Sequence, residues 1–176
     1  MFSQCDYNLV KKISELVKHT ISITFGLPAE KLYFTNVTQF TRHRPLTKFS
    51  EFRHVDKLRS PSLVVTSIVW LSTVDVDFYG GRTEFLTGGP EPYSPLLIDP
   101  KIGRFAAWTS SYENPHGVHE IIAGDRYSLI FTFTVNKRFG HETIDDLKRW
   151  SLDPANIPKN SGRRTLTFVK AYEPEY

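Results

Sequence analysis

In the segment RHVDK, residues 53 to 57, His54 and Asp56 stand two residues apart. On an extended strand alternate residues face the same side, so an imidazole and a carboxylate in this spacing converge on one point. Two histidines and one carboxylate on one octahedral face leave three positions open, which suits non-haem Fe(II). The third ligand has to come from a neighbouring strand. His116 lies 62 residues on, in ENPHGVHE, where a Pro-His-Gly turn feeds a strand. Ten residues beyond it comes Arg126, at the start of the apolar run Tyr127 to Val135. A guanidinium pointing into a barrel needs a paired anion. A dicarboxylate supplies one, and an arginine can hold its carboxylate through two parallel hydrogen bonds. Ser128 shares the strand face of Arg126 and adds a hydroxyl. On this reading His54, Asp56 and His116 hold a metal, and Arg126 holds the far end of the ligand that chelates it.

Alone, the His-x-Asp spacing is a weak signal. With six His and nine Asp in the chain, roughly 0.3 such matches arise by chance. An exposed His and Asp in a loop would look the same. His119, three residues after His116, competes as the distal ligand. Strand parity puts His116, Val118 and Glu120 on one side and His119 on the other, which favours His116. His19, His43 and His141 read as surface residues. Trp70 and Trp108 sit in strong strands and read as core rather than as substrate platforms. Gly80-Gly81 reads as a hairpin turn. It is no phosphate loop, since no Lys-Ser/Thr and no helix follow it.

These residues need elements to position them. Tyr7 to Thr24 carries apolar residues at helical spacing, with Gly26 and Pro28 to stop it. Leu32 to Thr41 reads as a strand and Arg42 to Phe49 as a loop. Ser62 to Val74 is nearly continuous in apolar and β-branched residues, as in a central strand. Arg82 to Leu86, Gly103 to Ser110, His116 to Ile122 and Arg126 to Asn136 complete the strands. Thr87 to Lys101 holds four prolines and two glycines, reads as loop, and is placed to lie over the site. A last helix is expected near Thr143 to Trp150, followed by a basic, loose tail with Arg163 and Arg164. Short strands with frequent turns imply a mainly β sandwich or barrel with flanking helices.

The 176 residues fit one domain, 1 to 176. It divides into an N-terminal helix at 7 to 24, a β core at 32 to 136, and a helix and tail at 140 to 176. Thirteen Phe, eight Tyr and three Trp favour a β-rich interior. A net charge of +3 without a clustered basic face argues against nucleic acid as a partner. The single cysteine, Cys5, excludes an internal disulfide framework and any CxxC metal site. No apolar run has the length of a membrane span, and the N-terminal stretch lacks the apolar region of a signal peptide. Taken literally, this describes a soluble, cytosolic chain. A catalytic piece of a longer protein fits equally.

Four segments resemble the 2-oxoglutarate- and Fe(II)-dependent oxygenases of the prolyl hydroxylase type, including collagen prolyl 3-hydroxylase catalytic domains. They are HVDK at 54 to 57, FYGGRTEF at 78 to 85, GRFAAWTSSYENPHGV at 103 to 118 and GDRYSLIFTFTVN at 124 to 136, in the family's order. The resemblance implies a double-stranded β-helix (jelly-roll) core. It implies Fe(II) on His54, Asp56 and His116, and 2-oxoglutarate with its distal carboxylate on Arg126, helped by Ser128 or a nearby Thr or Tyr. It also implies O2 as oxidant, ascorbate as a further cofactor, and hydroxylation of a carbon with release of succinate and CO2. The implied partner is a protein or peptide side chain, prolyl first among the options. The relatives point to the secretory pathway or membrane attachment if the chain is a fragment. Oligomeric state is left open. Two other readings remain: a catalytically silent jelly-roll that binds a partner around a retained metal, and a cupin-type metal enzyme that does not use 2-oxoglutarate.

Overall fold

The structure is a computed structural model and describes residues 4–45, 53–86 and 95–152. The expected basic tail, and residues 87–94 of the proline-rich loop, lie outside the described residues. Helix α1, Gln4–Phe25, starts slightly earlier than its apolar spacing predicts and buries Ser14, Val17 and Ile21 on one face. It stops at Gly26, whose φ of +64° suits a residue without a Cβ. There the Leu27 N–H reaches back to the Ser22 carbonyl at 3.0 Å, closing the helix end.

Among the described residues ten strands follow: β1 Tyr33–Phe34, β2 Gln39–His43, β3 Val65–Trp70, β4 Phe78–Gly80, β5 Thr83–Phe85, β6 Leu96–Ile98, β7 Phe105–Thr109, β8 His116–Val118, β9 Ile121–Gly124 and β10 Arg126–Thr134. A short helix α2, Asp56–Arg59, precedes β3, and α3, Ile144–Leu152, follows β10. The larger sheet runs β1-β10-β3-β7, with β2 beside β10 in line with β1. The smaller side comprises β6-β5-β8 and the pair β4-β9. All ladders are antiparallel. Two facing antiparallel sheets in this order make the expected jelly-roll, a double-stranded β-helix.

Period-two alternation on β10 and β3 divides the interior into two layers. Leu129, Phe131 and Phe133 of β10, with Val65 and Val69 of β3, pack with Val17 and Ile21 of α1 and with Ile144 and Leu147 of α3. On the opposite faces, Ile68 and Trp70 of β3 meet Phe85 and Trp108 in a second core between the sheets. Strand β10, which looks apolar from Tyr127 onward, therefore carries Arg126, Ser128, Ile130 and Thr132 on the inner face, three of them polar.

Several sequence expectations need correction. The strand expected over Leu32 to Thr41 is broken by a turn. The Thr35 and Thr38 hydroxyls bond Thr132 Oγ1 at 2.6 and 3.3 Å, and local hydroxyl bonds compete with a ladder. Arg42 and His43, expected in a loop, continue β2 against Tyr127 and Arg126. His116 to Ile122 is two strands, because β8 pairs with β5 and β9 pairs with β4. Leu96–Ile98, expected as loop, pairs with β5. Gly80-Gly81 is no hairpin. Both glycines have positive φ and mark the corner where the chain leaves the β4-β9 ladder for β5.

Candidate metal centre

His54 and His116 face each other as an antiparallel bridge. The His54 N–H donates to the His116 carbonyl at 2.8 Å, and the His116 N–H donates to the His54 carbonyl at 3.0 Å. Val55 is extended, with φ −116° and ψ 127°, so Asp56 returns to the same side as His54 before α2 begins. The parity argument thus holds even though Asp56 opens a helix rather than continuing a strand. Asp56 Oδ1 lies 3.4 Å from His54 Nε2 and 3.9 Å from His116 Nε2. One ligand atom from each of the three lies within 4.8 Å of the others.

Each of two donors is aimed by a second bond. Trp108 Nε1–H donates to Asp56 Oδ2 at 2.9 Å, leaving Oδ1 toward the histidines. His116 Nδ1 sits 3.0 Å from the Asn114 carbonyl, which can only accept. Nδ1 therefore carries the proton and Nε2 presents its lone pair to the site. Phe85 stacks on the His116 ring at 5.2 Å and Trp108 meets it edge-on at 4.9 Å. Burial holds the His116 imidazole below its usual range, against the opposing pull of the Asn114 carbonyl and Asp56. Burial would raise Asp56, but bonds from His54, Trp108 and Thr66 and the nearby His116 hold it below the usual carboxylate value. His119 lies elsewhere, 3.9 Å from Glu84 and partly exposed.

The three donors open onto a cavity of about 370 Å³ between the sheets, and the same cavity reaches Arg126. Arg126 is only 1 % exposed. Its Nη2 donates to Thr83 Oγ1 at 3.1 Å and its Nη1 lies 3.2 Å from His43 Nδ1. A guanidinium only donates, so His43 Nδ1 is the acceptor and that imidazole is neutral. Burial, and then the Arg126 charge, push His43 down to about 4. Burial alone pushes Arg126 down to about 10. Its Nε has no hydrogen-bond partner, and no carboxylate pairs with it among the described residues. Gly81 lets the chain pass beside this side chain, since a Cβ there would stand 3.2 Å from Arg126 Cδ and 2.9 Å from Phe78.

His54, Asp56, His116 and Arg126 are thus brought to one cavity. Ser128 lies on the expected face but is fully buried, and its hydroxyl is 2.6 Å from that of Thr41, its directly paired neighbour on β2, which lines the cavity. Sequence reading missed His43, expected at the surface, and Thr83. It also took Trp108 for core alone. A usable signal was present in QFTRH, where Gln39, Thr41 and His43 alternate onto the cavity. Trp108 carries both roles, because its ring fills the inter-sheet core while its N–H reaches Asp56.

Residues 38–134, more than half the chain, match the model of the 2OG-Fe(II) oxygenase superfamily. The chain is similar to the 2-oxoglutarate and iron-dependent oxygenase domain-containing protein 3 of Mus musculus, with 36% identity over 147 residues, covering 81% of this chain and 45% of that protein. The Homo sapiens protein of the same name is 33% identical over the same shares. The chain spans about half the length of these curated relatives. Among solved structures, a Pseudomonas putida prolyl-4-hydroxylase aligns with TM-score 0.45 and 22% identity over 55% of this chain and 51% of that one. With its family match extending from just before β2 to the end of β10, the chain belongs to the 2OG-Fe(II) oxygenase superfamily.

Proposed function

We propose that this chain, taken as one domain, is an Fe(II)- and 2-oxoglutarate-dependent dioxygenase that hydroxylates a carbon of a protein or peptide side chain, prolyl first. The observation that carries the reading is Arg126. A fully buried guanidinium without an anion is costly, and this one keeps an unpartnered Nε in the cavity that also holds the two histidines and the carboxylate. The distal carboxylate of a 2-oxo dicarboxylic acid would pair with this guanidinium.

The donor set fits Fe(II): two imidazole nitrogens and one carboxylate oxygen, two of the three oriented from behind. Held by His54, Asp56 and His116, Fe(II) would supply the redox chemistry that couples oxidative decarboxylation of 2-oxoglutarate to hydroxylation. The remaining work belongs to the chain. Arg126 anchors the cosubstrate by charge and paired hydrogen bonds, Thr83 adds a hydroxyl, and Thr41, backed by Ser128, lines the same cavity. Neutral His43 orients the guanidinium without cancelling its charge. Ile68, Trp108, Val118 and Ile130 give the cavity apolar walls that exclude water. Ascorbate belongs to this reading as the reductant that keeps iron ferrous.

The test is succinate formation from 2-oxoglutarate with Fe(II) and ascorbate, over proline-containing peptides, with mass spectrometry of each peptide. The expected result is succinate coupled to a gain of one oxygen atom, both lost in Asp56→Ala. Iron binding with no succinate under any condition would favour a silent binding module.

A further inference from the structure

Behind the candidate metal centre, Trp108 holds Asp56 and the Asn114 carbonyl holds His116. The His54 side chain bonds Asp56 and lies against the His116 ring, and among the described residues its backbone meets the sheet at an isolated bridge opposite His116. A one-residue slip in an antiparallel pairing turns every side chain to the other face. Such a slip would carry the His54 imidazole away from Asp56 and His116.

The outer face of the smaller sheet supplies a restraint. Arg53, the residue before His54, sends its side chain across β8 to Glu84 on β5. Its Nε and Nη2 both reach Glu84 Oε2, at 3.1 and 3.0 Å. Glu84 pairs directly with Gly117, so the strand being crossed offers no side chain there. A Cβ at Gly117 would stand 3.4 Å from Arg53 Cγ and 3.5 Å from its Cα, so the arginine lies flat on the glycine. The Glu84 side chain is 11% exposed and that of Arg53 is 59% exposed. Neither residue lines the cavity.

We propose that Arg53 and Glu84 form a strap over Gly117 that positions His54 as a metal ligand. This rests on the metal-binding reading above. Arg53 and Glu84 are positioning residues and touch neither cosubstrate nor metal. The strap fixes residue 53 against β5, and with it the register of His54 opposite His116. Because the Arg53 head is largely in water, removing the Glu84 charge leaves no buried orphan cation, and the fold keeps its two cores.

The experiment titrates Co(II), by its visible absorption, into metal-free wild type, Glu84→Gln, Arg53→Met and the double variant, with melting of each metal-free protein measured in parallel. Each single variant should bind Co(II) about 10-fold more weakly. The double variant should be no weaker than the worse single one, because both remove the same restraint. Metal-free melting temperatures of Glu84→Gln and the double variant should stay close to wild type. Arg53→Met should melt lower because the nearly buried Glu84 carboxylate loses its guanidinium, and Arg53→Lys should recover part of the affinity. Wild-type Co(II) affinity in the single variants overturns the strap, as does an affinity loss in Glu84→Gln or the double variant that follows a matching loss of metal-free stability. A wild type that binds no Co(II) sinks the metal-binding reading itself, and the strap with it.

Discussion

At the scale of single residues, the account turns on the electrostatics of Arg126 and His43. Among the described residues no anion pairs with the buried Arg126, so its charge weighs against the ligand-free fold. Arg126→Met, of similar length and no charge, should leave the ligand-free protein as stable or more stable by about 1–3 kcal/mol, read by thermal melting. A clear loss of stability would mean that the guanidinium is a structural strut. His43 gives a pH signature. Its folded value of about 4 lies below the usual 6.5. Between those values the unfolded chain binds a proton that the folded chain refuses, so stability present above pH 6.5 is lost as pH falls toward 4, by up to about 3 kcal/mol. In His43→Gln, whose amide oxygen can still accept from Arg126, melting temperature should fall less steeply with pH over that window. Identical slopes would contradict the buried neutral imidazole.

At the scale of elements, β10 and β3 carry the structure, each with one face to the helices and one to the cavity. Phe131 is fully buried in the helix-side layer, and Phe131→Ala should cost about 3–5 kcal/mol in chemical unfolding. A cost below about 1 kcal/mol would mean that α1 does not seal that face. Much of this was legible. The helix at 7–24 and the central strand within 62–74 follow from spacing, because burial enforces period two or 3.6, while the pairing of His54 with Asp56 gained weight only from His116 and Arg126 further along the chain. What was not legible depended on partners distant in sequence. Nothing local tells that His43 will face Arg126 rather than solvent, since its burial is set by the β2-β10 register. The same holds for Thr83, placed by a corner at Gly80-Gly81 that reads like a hairpin. Ser128 shows the limit of parity, because it shares a face with Arg126 yet is fully buried beside its β2 partner Thr41, and Thr41 lines the cavity.

For the whole molecule, one cavity between two sheets joins a three-donor cluster from the smaller side to a cation from the larger. A ligand that bridges them ties the sheets together and stabilises the folded state by mass action. With Mn(II) as an inert substitute and 2-oxoglutarate at about 100 times its Kd, the gain should be about 2.7 kcal/mol, seen as a rise in melting temperature. Mn(II) and 2-oxoglutarate should each give less alone, and a cosubstrate effect unchanged by omitting the metal would argue against a shared site. Among the described residues no helix is long and apolar enough to cross a membrane.

On the proposed reading, His54, Asp56 and His116 hold iron within reach of a cosubstrate anchored on Arg126. Anaerobic titration of the purified protein with Fe(II) and 2-oxoglutarate tests it most directly, through the weak metal-to-ligand charge-transfer band in the visible. The account predicts a saturable band that is absent in both His116→Ala and Arg126→Ala, with Arg126→Ala still binding iron. Iron bound to the wild type with no band at any 2-oxoglutarate concentration would contradict it.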